Sequence, residues 1–309
     1  MQADVLNGLR GTPKKMAAKY FYDEAGDKLF QEIMNCPEYY VTDCELEIFT
    51  EQTGEMADLI LRGGEPFDLI ELGAGDCTKS SHLLSLLLAT DTDFTYCPID
   101  ISASTIEYLE TALPQQLPGL KLQGLHGDYF DMLAIAAERS VRKVVLCLGA
   151  NIGNMPVVEA QEFCTKLRSY LSPGDMVIMG VDLKKDPHLI RAAYDDTDGI
   201  TSRFNLNLLS RLNRELDASF DLEAFKHYCS YDPESGACKS YLISLKDQLV
   251  KVSDEEITFR KDEYIWMEIS QKYELAEIDD MAVAAGFAPV KHLLDSKAWF
   301  TDGVWVVKQ

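Results

Sequence analysis

Apolar positions along this chain keep two different rhythms. The first sixty residues are spaced as helices. Thr42 and Glu45, in T-D-C-E, have the form of a capping box ahead of Leu46, Phe49, Met56 and Ile60. Short apolar runs then alternate with helical segments. FDLIEL at 67–72 predicts a buried strand, followed by a helix over 80–88. FTYCPID at 94–100 predicts a second strand. Ser104 and Glu107 then form another capping-box pattern, with Ile106, Leu109 and Leu113 on one helical face. LKLQGLHGD at 120–128 holds a third strand and KVVLCLG at 143–149 a fourth. The next helix places Phe163, Leu167, Tyr170 and Leu171 on one side and stops at Pro173-Gly174. MVIMGVDL at 176–183 is a fifth strand. Repeated β-α units predict an α/β fold with a parallel, doubly wound sheet.

The rhythm changes after residue 183. Two helices are predicted over 186–216, with Phe204, Leu208, Leu212 and Leu216 at four-residue spacing. Then SYLISL, QLVKV, EITF and YIWMEISQKY follow closely, without helices between them, which predicts an antiparallel insertion. A helix over 273–285 ends at Gly286, and two last strands, around Val290 and at 304–307, return to the sheet. The expected organisation is a Rossmann-like core at 58–183, completed by 273–309. A second α+β lobe comes from the helical 1–57 and the inserted 184–272.

The chain has 309 residues with a formal net charge of -22. No basic cluster offsets that acidity, so nucleic acid is not an expected partner. The eight cysteines form no C-x-x-C pair, and the five histidines show no H-x-x-x-H pattern. Free thiols of a reducing compartment are expected, and no metal site. No apolar run reaches the length of a membrane span and the N-terminus lacks a signal-peptide core, so cytoplasmic residence and no membrane partner are expected. A monomer is the default expectation.

Three strand ends carry candidate chemistry. ELGAGD joins a strand to a helix through Gly73 and Gly75, which permit positive φ and close approach of a ligand. Thr78 occupies the third glycine position of G-x-G-x-x-G, which disfavours a nicotinamide dinucleotide. Asp100 ends the second strand, where a carboxylate accepts ribose hydroxyls. Asp128 and Tyr129, in HGDYF, end the third, where an adenine would be held. An adenosine without phosphates suits such a crevice, and S-adenosylmethionine (SAM) is such a ligand. The alternatives are turn glycines at 73 and 75, a helix cap at Asp100 and a turn residue at Asp128.

The stretch KYFYDEAGDKLFQEIMNCPEYYVTDCELEIF resembles the N-terminal signature of the histidine-specific methyltransferases that open ergothioneine biosynthesis. The resemblance continues through IELGAGDCTKS, PIDIS, LGANIGN, AAYDDTDGITSRFN and MEISQKY, nearly the whole chain. It implies a class I SAM-dependent core, a substrate lobe, and stepwise trimethylation of the histidine α-amine to the betaine hercynine. It implies cofactor contacts at Gly73, Lys79, Asp100, Asp128 and Tyr129. For the substrate it implies Asn154 and Tyr194 on the carboxylate and the Gly149 carbonyl facing the amine. Tyr22 lies near that amine, Tyr39 reaches the imidazole, and Glu268 and Ser270 bond the far imidazole nitrogen. Ser240, in KSYL, stands where the family often has a methionine, implying a roomier or more polar pocket.

A carboxylate accepting an imidazole N–H makes a bond that an indole or phenyl ring meets poorly. Alternation in YIWMEISQKY puts Trp266, Glu268 and Ser270 on one face, which also suits a solvated strand. The expected reaction is in-line displacement at a sulfonium methyl by a neutral amine, helped mainly by positioning. Tyr22 and Tyr39 are expected to orient the amine, with a water-mediated proton relay as the alternative. Rival readings are another amino-acid substrate, such as thiohistidine or tryptophan, and a non-catalytic SAM-binding protein.

Overall fold

The computed structural model describes residues 1–90 and 92–308. In chain order its strands are β1 (Lys14–Lys15), β2 (Phe67–Leu72), β3 (Phe94–Asp100), β4 (Leu125–His126), β5 (Arg142–Cys147), β6 (Met176–Asp182), β7 (Phe225–Asp232), β8 (Ala237–Ser244), β9 (Gln248–Val252), β10 (Glu255–Phe259), β11 (Tyr264–Gln271), β12 (Phe287–Leu294) and β13 (Phe300–Val307). The chain forms two compact units. One joins Met1–Tyr40 to Lys185–Gln271; the other joins Val41–Lys184 to the segment from Lys272 onward. The first seam falls at Tyr40 rather than at 57. Helix Val41–Glu51 packs on β13 and on helix Ser80–Ala89, and so belongs to the core unit.

In the core unit seven strands lie in the order β12-β13-β6-β5-β2-β3-β4. β2 through β6 pair in parallel, and β13 pairs antiparallel with both β6 and β12. β2 and β6 are buried along their whole length, which is why they are largely apolar, although β2 also buries Asp68 and Glu71 and β6 buries Asp182. From β2 the chain moves outward through β3 and β4, then returns to the other side of β2 as β5. This reversal opens a crevice at the carboxyl ends of β2 and β5, where ligands of such sheets bind. The family's α/β fold, a mostly parallel sheet flanked by helices, is therefore present as expected.

Local details differ from expectation. Helix Ala103–Gln116 is capped by Ser102, whose hydroxyl accepts from Thr105 N at 3.3 Å, and not by Ser104. The turn leaves β3 earlier than the S-x-x-E spacing suggested, so Ser104 and Glu107 lie inside the helix. The third strand contracts to Leu125–His126, with one bridge from Leu122 to Tyr96. On helix Val157–Ser169 the buried face is Ala160, Cys164 and Leu167, with Phe163 and Tyr170 at its margin. The last helix, Leu275–Ala285, ends as predicted at Gly286, with φ 93°.

In the other unit β1-β11-β8-β7 form one sheet, and β9-β10 pair as a separate hairpin. Two helices, Pro187–Ala193 and Ile200–Glu215, follow the switch from the core. Phe204, Leu208 and Leu212 lie in one apolar cluster with Phe21, Ile265 and Met267. β7 was not anticipated in FKHYCSYD, nor was the two-residue β1, which pairs in parallel with β11. Among the described residues no helix is long and apolar enough to cross a membrane.

Candidate active site

In the core unit Gly73, Gly75, Asp100, Asp128 and Tyr129, expected on the cofactor side, gather at the β2 turn. Gly73 and Gly75 take φ of 73° and 54°. A Cβ at position 73 would come within 2.6 Å of the Tyr129 hydroxyl, so only glycine lets the turn close on that ring. Gly75 N donates to Asp100 Oδ2 at 3.3 Å, and Ser102 N to Asp100 Oδ1 at 2.9 Å. Asp100 is thus fixed at the end of β3 beside the glycine turn. Asp128 caps helix Tyr129–Ala137, accepting from Phe130 N at 3.0 Å. Burial, with Asp100, Cys147 and Asp128 close by, pushes the Tyr129 phenol up to about 12, so it stays protonated. Tyr129 lines a cavity of about 200 Å³ with Leu72, Cys147, Asn151, Asn154 and Phe163.

This donor set fits an adenosyl ligand. A fixed carboxylate faces the glycine turn, the backbone there is bare, and a phenol walls an apolar cavity. Beneath the turn lies Glu71, buried and accepting from the Tyr96 hydroxyl at 2.6 Å. Burial raises Glu71 to about 7 despite the bonds from Ser80 and Tyr96 and the nearby charge of Lys79.

Lys79, expected to face the cofactor, gives its ammonium to the carboxylate of Glu45. Burial alone would pull this lysine down, but Glu45 and Asp302 outweigh that and hold it raised. Glu45 was read as a capping-box partner of Thr42. It is instead fully buried, because Thr42 already lies within its helix and the side chain turns inward. Gly149, at φ 76°, donates its N–H to both Glu45 oxygens, at 2.9 and 3.0 Å. Asn154 ends the single turn Asn151–Asn154, exposed, with Nδ2 3.4 Å from Asn151 Oδ1.

The other unit brings together a second set. The Tyr39 and Tyr194 rings meet edge to face at 6.1 Å, and the Tyr194 and Ser270 hydroxyls are 2.7 Å apart. Glu268 and Ser270 are on β11, where Ile265, Met267 and Ile269 are buried in alternation as predicted. A bulge between Trp266 and Glu268 lets the indole N–H reach the Glu268 carbonyl at 2.9 Å. Glu268 is half-buried and receives Asn205 Nδ2 on Oε1 at 3.3 Å, so it is not a solvated strand residue. Ser240 is buried directly across from Glu268 in the β8–β11 pairing. Tyr22 has an exposed ring edge-on to Phe30 at 5.6 Å and Phe204 at 5.9 Å.

Two residues of these sets were not singled out from sequence. Asn205 is fully buried on helix Ile200–Glu215. Its Nδ2 also donates to Thr201 O at 3.1 Å, and since both neighbours are acceptors the amide orientation is fixed. Its signal was its place at the end of AAYDDTDGITSRFN. Glu45 lay equally in view, inside TDCELEIF, but its spacing from Thr42 suggested a cap.

Comparison with known proteins agrees with this geometry. The family described as histidine-specific methyltransferase, SAM-dependent, matches residues 1–307. The chain is 32% identical over 304 residues to the histidine N-alpha-methyltransferase of Mycobacterium tuberculosis, covering 98% of this chain and 91% of that protein. The Mycolicibacterium smegmatis enzyme of the same name gives the same identity and coverage. Ergothioneine biosynthesis protein 1 of Neurospora crassa is 30% identical over 285 residues, 90% of this chain but 32% of that longer protein. With a parallel sheet, a glycine turn set against Asp100 and a family match running almost end to end, this chain belongs to the SAM-dependent histidine-specific methyltransferases.

Proposed function

We propose that this enzyme methylates the α-amino group of L-histidine stepwise, from SAM, to the trimethyl betaine. The observation that carries the choice of substrate is Glu268, a half-buried carboxylate held by Asn205 and neighboured on β11 by Ser270. A carboxylate so placed accepts an imidazole N–H, and a side chain without that donor leaves it unpaired.

Gly73, Gly75, Lys79, Asp100, Asp128 and Tyr129 would hold the cofactor, which when bound supplies an electrophilic methyl on a sulfonium. Tyr194 and Asn154 would donate to the substrate carboxylate, the Gly149 carbonyl would accept from the amine, and Glu268 with Ser270 would bond the imidazole. Tyr22 and Tyr39 would orient the amine and ring, since a phenol is a weak base. Ser240, small and buried opposite Glu268, would leave space beside the imidazole. The enzyme would act as a monomer in a reducing, cytoplasmic compartment, a reading supported by eight free, buried cysteines.

The test is to incubate the purified protein with SAM and, separately, histidine, thiohistidine, tryptophan, tyrosine or phenylalanine, reading product masses. Histidine gaining three methyl groups, with little turnover of the rest, is the expected result. Turnover of another amino acid in place of histidine would overturn the assignment of Glu268 to an imidazole.

A further inference from the structure

Glu45 is fully buried, yet it sits at none of the strand ends that would touch a ligand. Its two oxygens take the Gly149 N–H and the Lys79 ammonium together. One carboxylate therefore joins the turn after β5 to the residue that opens the helix after β2. The fold makes room for it at Gly180 on β6, where a Cβ would overlap Glu45 Oε1. Asp302, on β13, borders the same space, with Oδ1 3.3 Å from where that Cβ would stand. Burial and the charge of Glu45 push Asp302 well above the ordinary carboxylate range, against the pull of Lys79. The buried cluster thus sets the Lys79–Glu45 ion pair beside a second carboxyl group. The Glu45 carboxylate is shared between two groups that would face the ligands.

We propose that Glu45 is a positioning residue, which sets the geometry of Gly149 and Lys79 together and thereby couples the seat of the substrate amine to the grip on the cofactor. The inference rests on the proposed roles of Gly149 and Lys79. Gly149 is held at positive φ, a conformation with several alternatives open to glycine. Its N–H bonds to Glu45 select one. Lys79 has a long, mobile side chain, and the same carboxylate selects one of its rotamers. Without that anion the ammonium would turn to water or to the ligand carboxylate in several geometries.

The experiment uses two variants of the full chain. Glu45→Gln keeps the shape and removes the charge. Gly180→Ala changes no charge and no proposed ligand contact, but its methyl occupies the space of the Glu45 carboxylate. That carboxylate is the far end of a flexible side chain, so it moves and the strand need not. The dissociation constant of S-adenosylhomocysteine is measured by calorimetry, histidine kcat and KM by product mass, and folding by thermal melting.

Each variant is expected to weaken S-adenosylhomocysteine binding and raise histidine KM by about tenfold, the scale of one lost charge-assisted bond. The double variant is expected to be no worse than the weaker single, because both act on one carboxylate. Native-like binding and KM in a folded variant, with only a lower melting temperature, would overturn the proposal. Should Glu45→Gln fail to fold, Gly180→Ala decides by itself. The cofactor measurement needs no substrate. A native protein inactive on histidine would therefore sink the substrate reading, while the dissociation constants still judge Glu45.

Discussion

The amide of Asn205 shows how an uncharged side chain can fix the place of a charged one. Both its hydrogens are given to acceptors, Thr201 O and Glu268 Oε1, so it can only favour an acceptor carboxylate. If Glu268 reads the imidazole, Asn205→Ala should raise histidine KM by about ten- to a hundredfold, the range of a lost bond to a charged group. Turnover of phenylalanine should change far less. In a Glu268→Ala background the second change should cost little more, since the two residues share one interaction. Equal losses on both amino acids would show that Asn205 only supports the fold. Glu71 gives a prediction of a different kind. Its folded value of about 7 stands above the ordinary glutamate value of 4.5, so the folded state holds a proton that the unfolded chain releases. Stability from this group is complete below about 4.5, falls as pH rises toward 7, and is flat beyond. Urea midpoints measured from pH 4.5 to 8 should therefore fall less steeply for Glu71→Gln than for the native protein. Parallel slopes would place the proton elsewhere.

At the scale of elements, legibility followed burial. β2, β3, β5 and β6 each hold a mostly apolar, mostly buried run, so they read from sequence almost to the residue. β7 was missed because FKHYCSYD alternates apolar with polar residues and carries His227 on its buried face, where the pattern fades. β1 has only two residues and owes its existence to β11, a partner 251 positions away from Lys14 in the first pair. The capping boxes failed for a local reason, since S-x-x-E and T-x-x-E spacings also occur inside helices. The strand-end residues proposed to hold the cofactor could be singled out because a strand end followed by glycine or aspartate is a local pattern. Their partners Glu45 and Asn205 were not, because what they bond lies 104 and 63 positions along the chain. A buried ion pair was equally invisible. Lys272 Nζ lies 2.5 Å from Asp182 Oδ2, both side chains without exposure, where β6 ends and the chain re-enters the core. Lys272→Met leaves that carboxylate buried without its cation and should cost about 3–5 kcal/mol in urea unfolding. Lys272→Met with Asp182→Asn should recover part of the loss; no recovery would mean that packing, not charge, holds the junction.

On the scale of the whole molecule, the chain leaves the core unit at Lys184 and returns at Lys272. The two ends of that excursion are neighbours. Leu183 and Tyr273 form a parallel bridge, Lys184 N donates to Tyr273 O at 2.9 Å, and Tyr273 N donates to Asp182 O at 3.1 Å. A loop whose ends already touch closes at little entropic cost, and replacing it by a few glycines shortens a closure the fold has made. The core's sheet is also complete without it, since all seven strands come from 41–184 and from the segment after 272. A chain running from Val41 to Lys184, through a short glycine linker, and on from Lys272 should therefore melt cooperatively. It should also bind S-adenosylhomocysteine, because the residues proposed to hold it, Gly73, Gly75, Lys79, Asp100, Asp128 and Tyr129, all remain, as does Glu45 beside Lys79. It should methylate no amino acid, having lost Tyr22, Tyr39, Tyr194, Glu268 and Ser270. Circular dichroism and calorimetry decide the first two points, and product mass the third. A shortened chain that folds but binds no cofactor would mean that the cofactor site needs residues from outside the core unit. One that still methylates histidine would mean that the residues assigned to the substrate do not hold it.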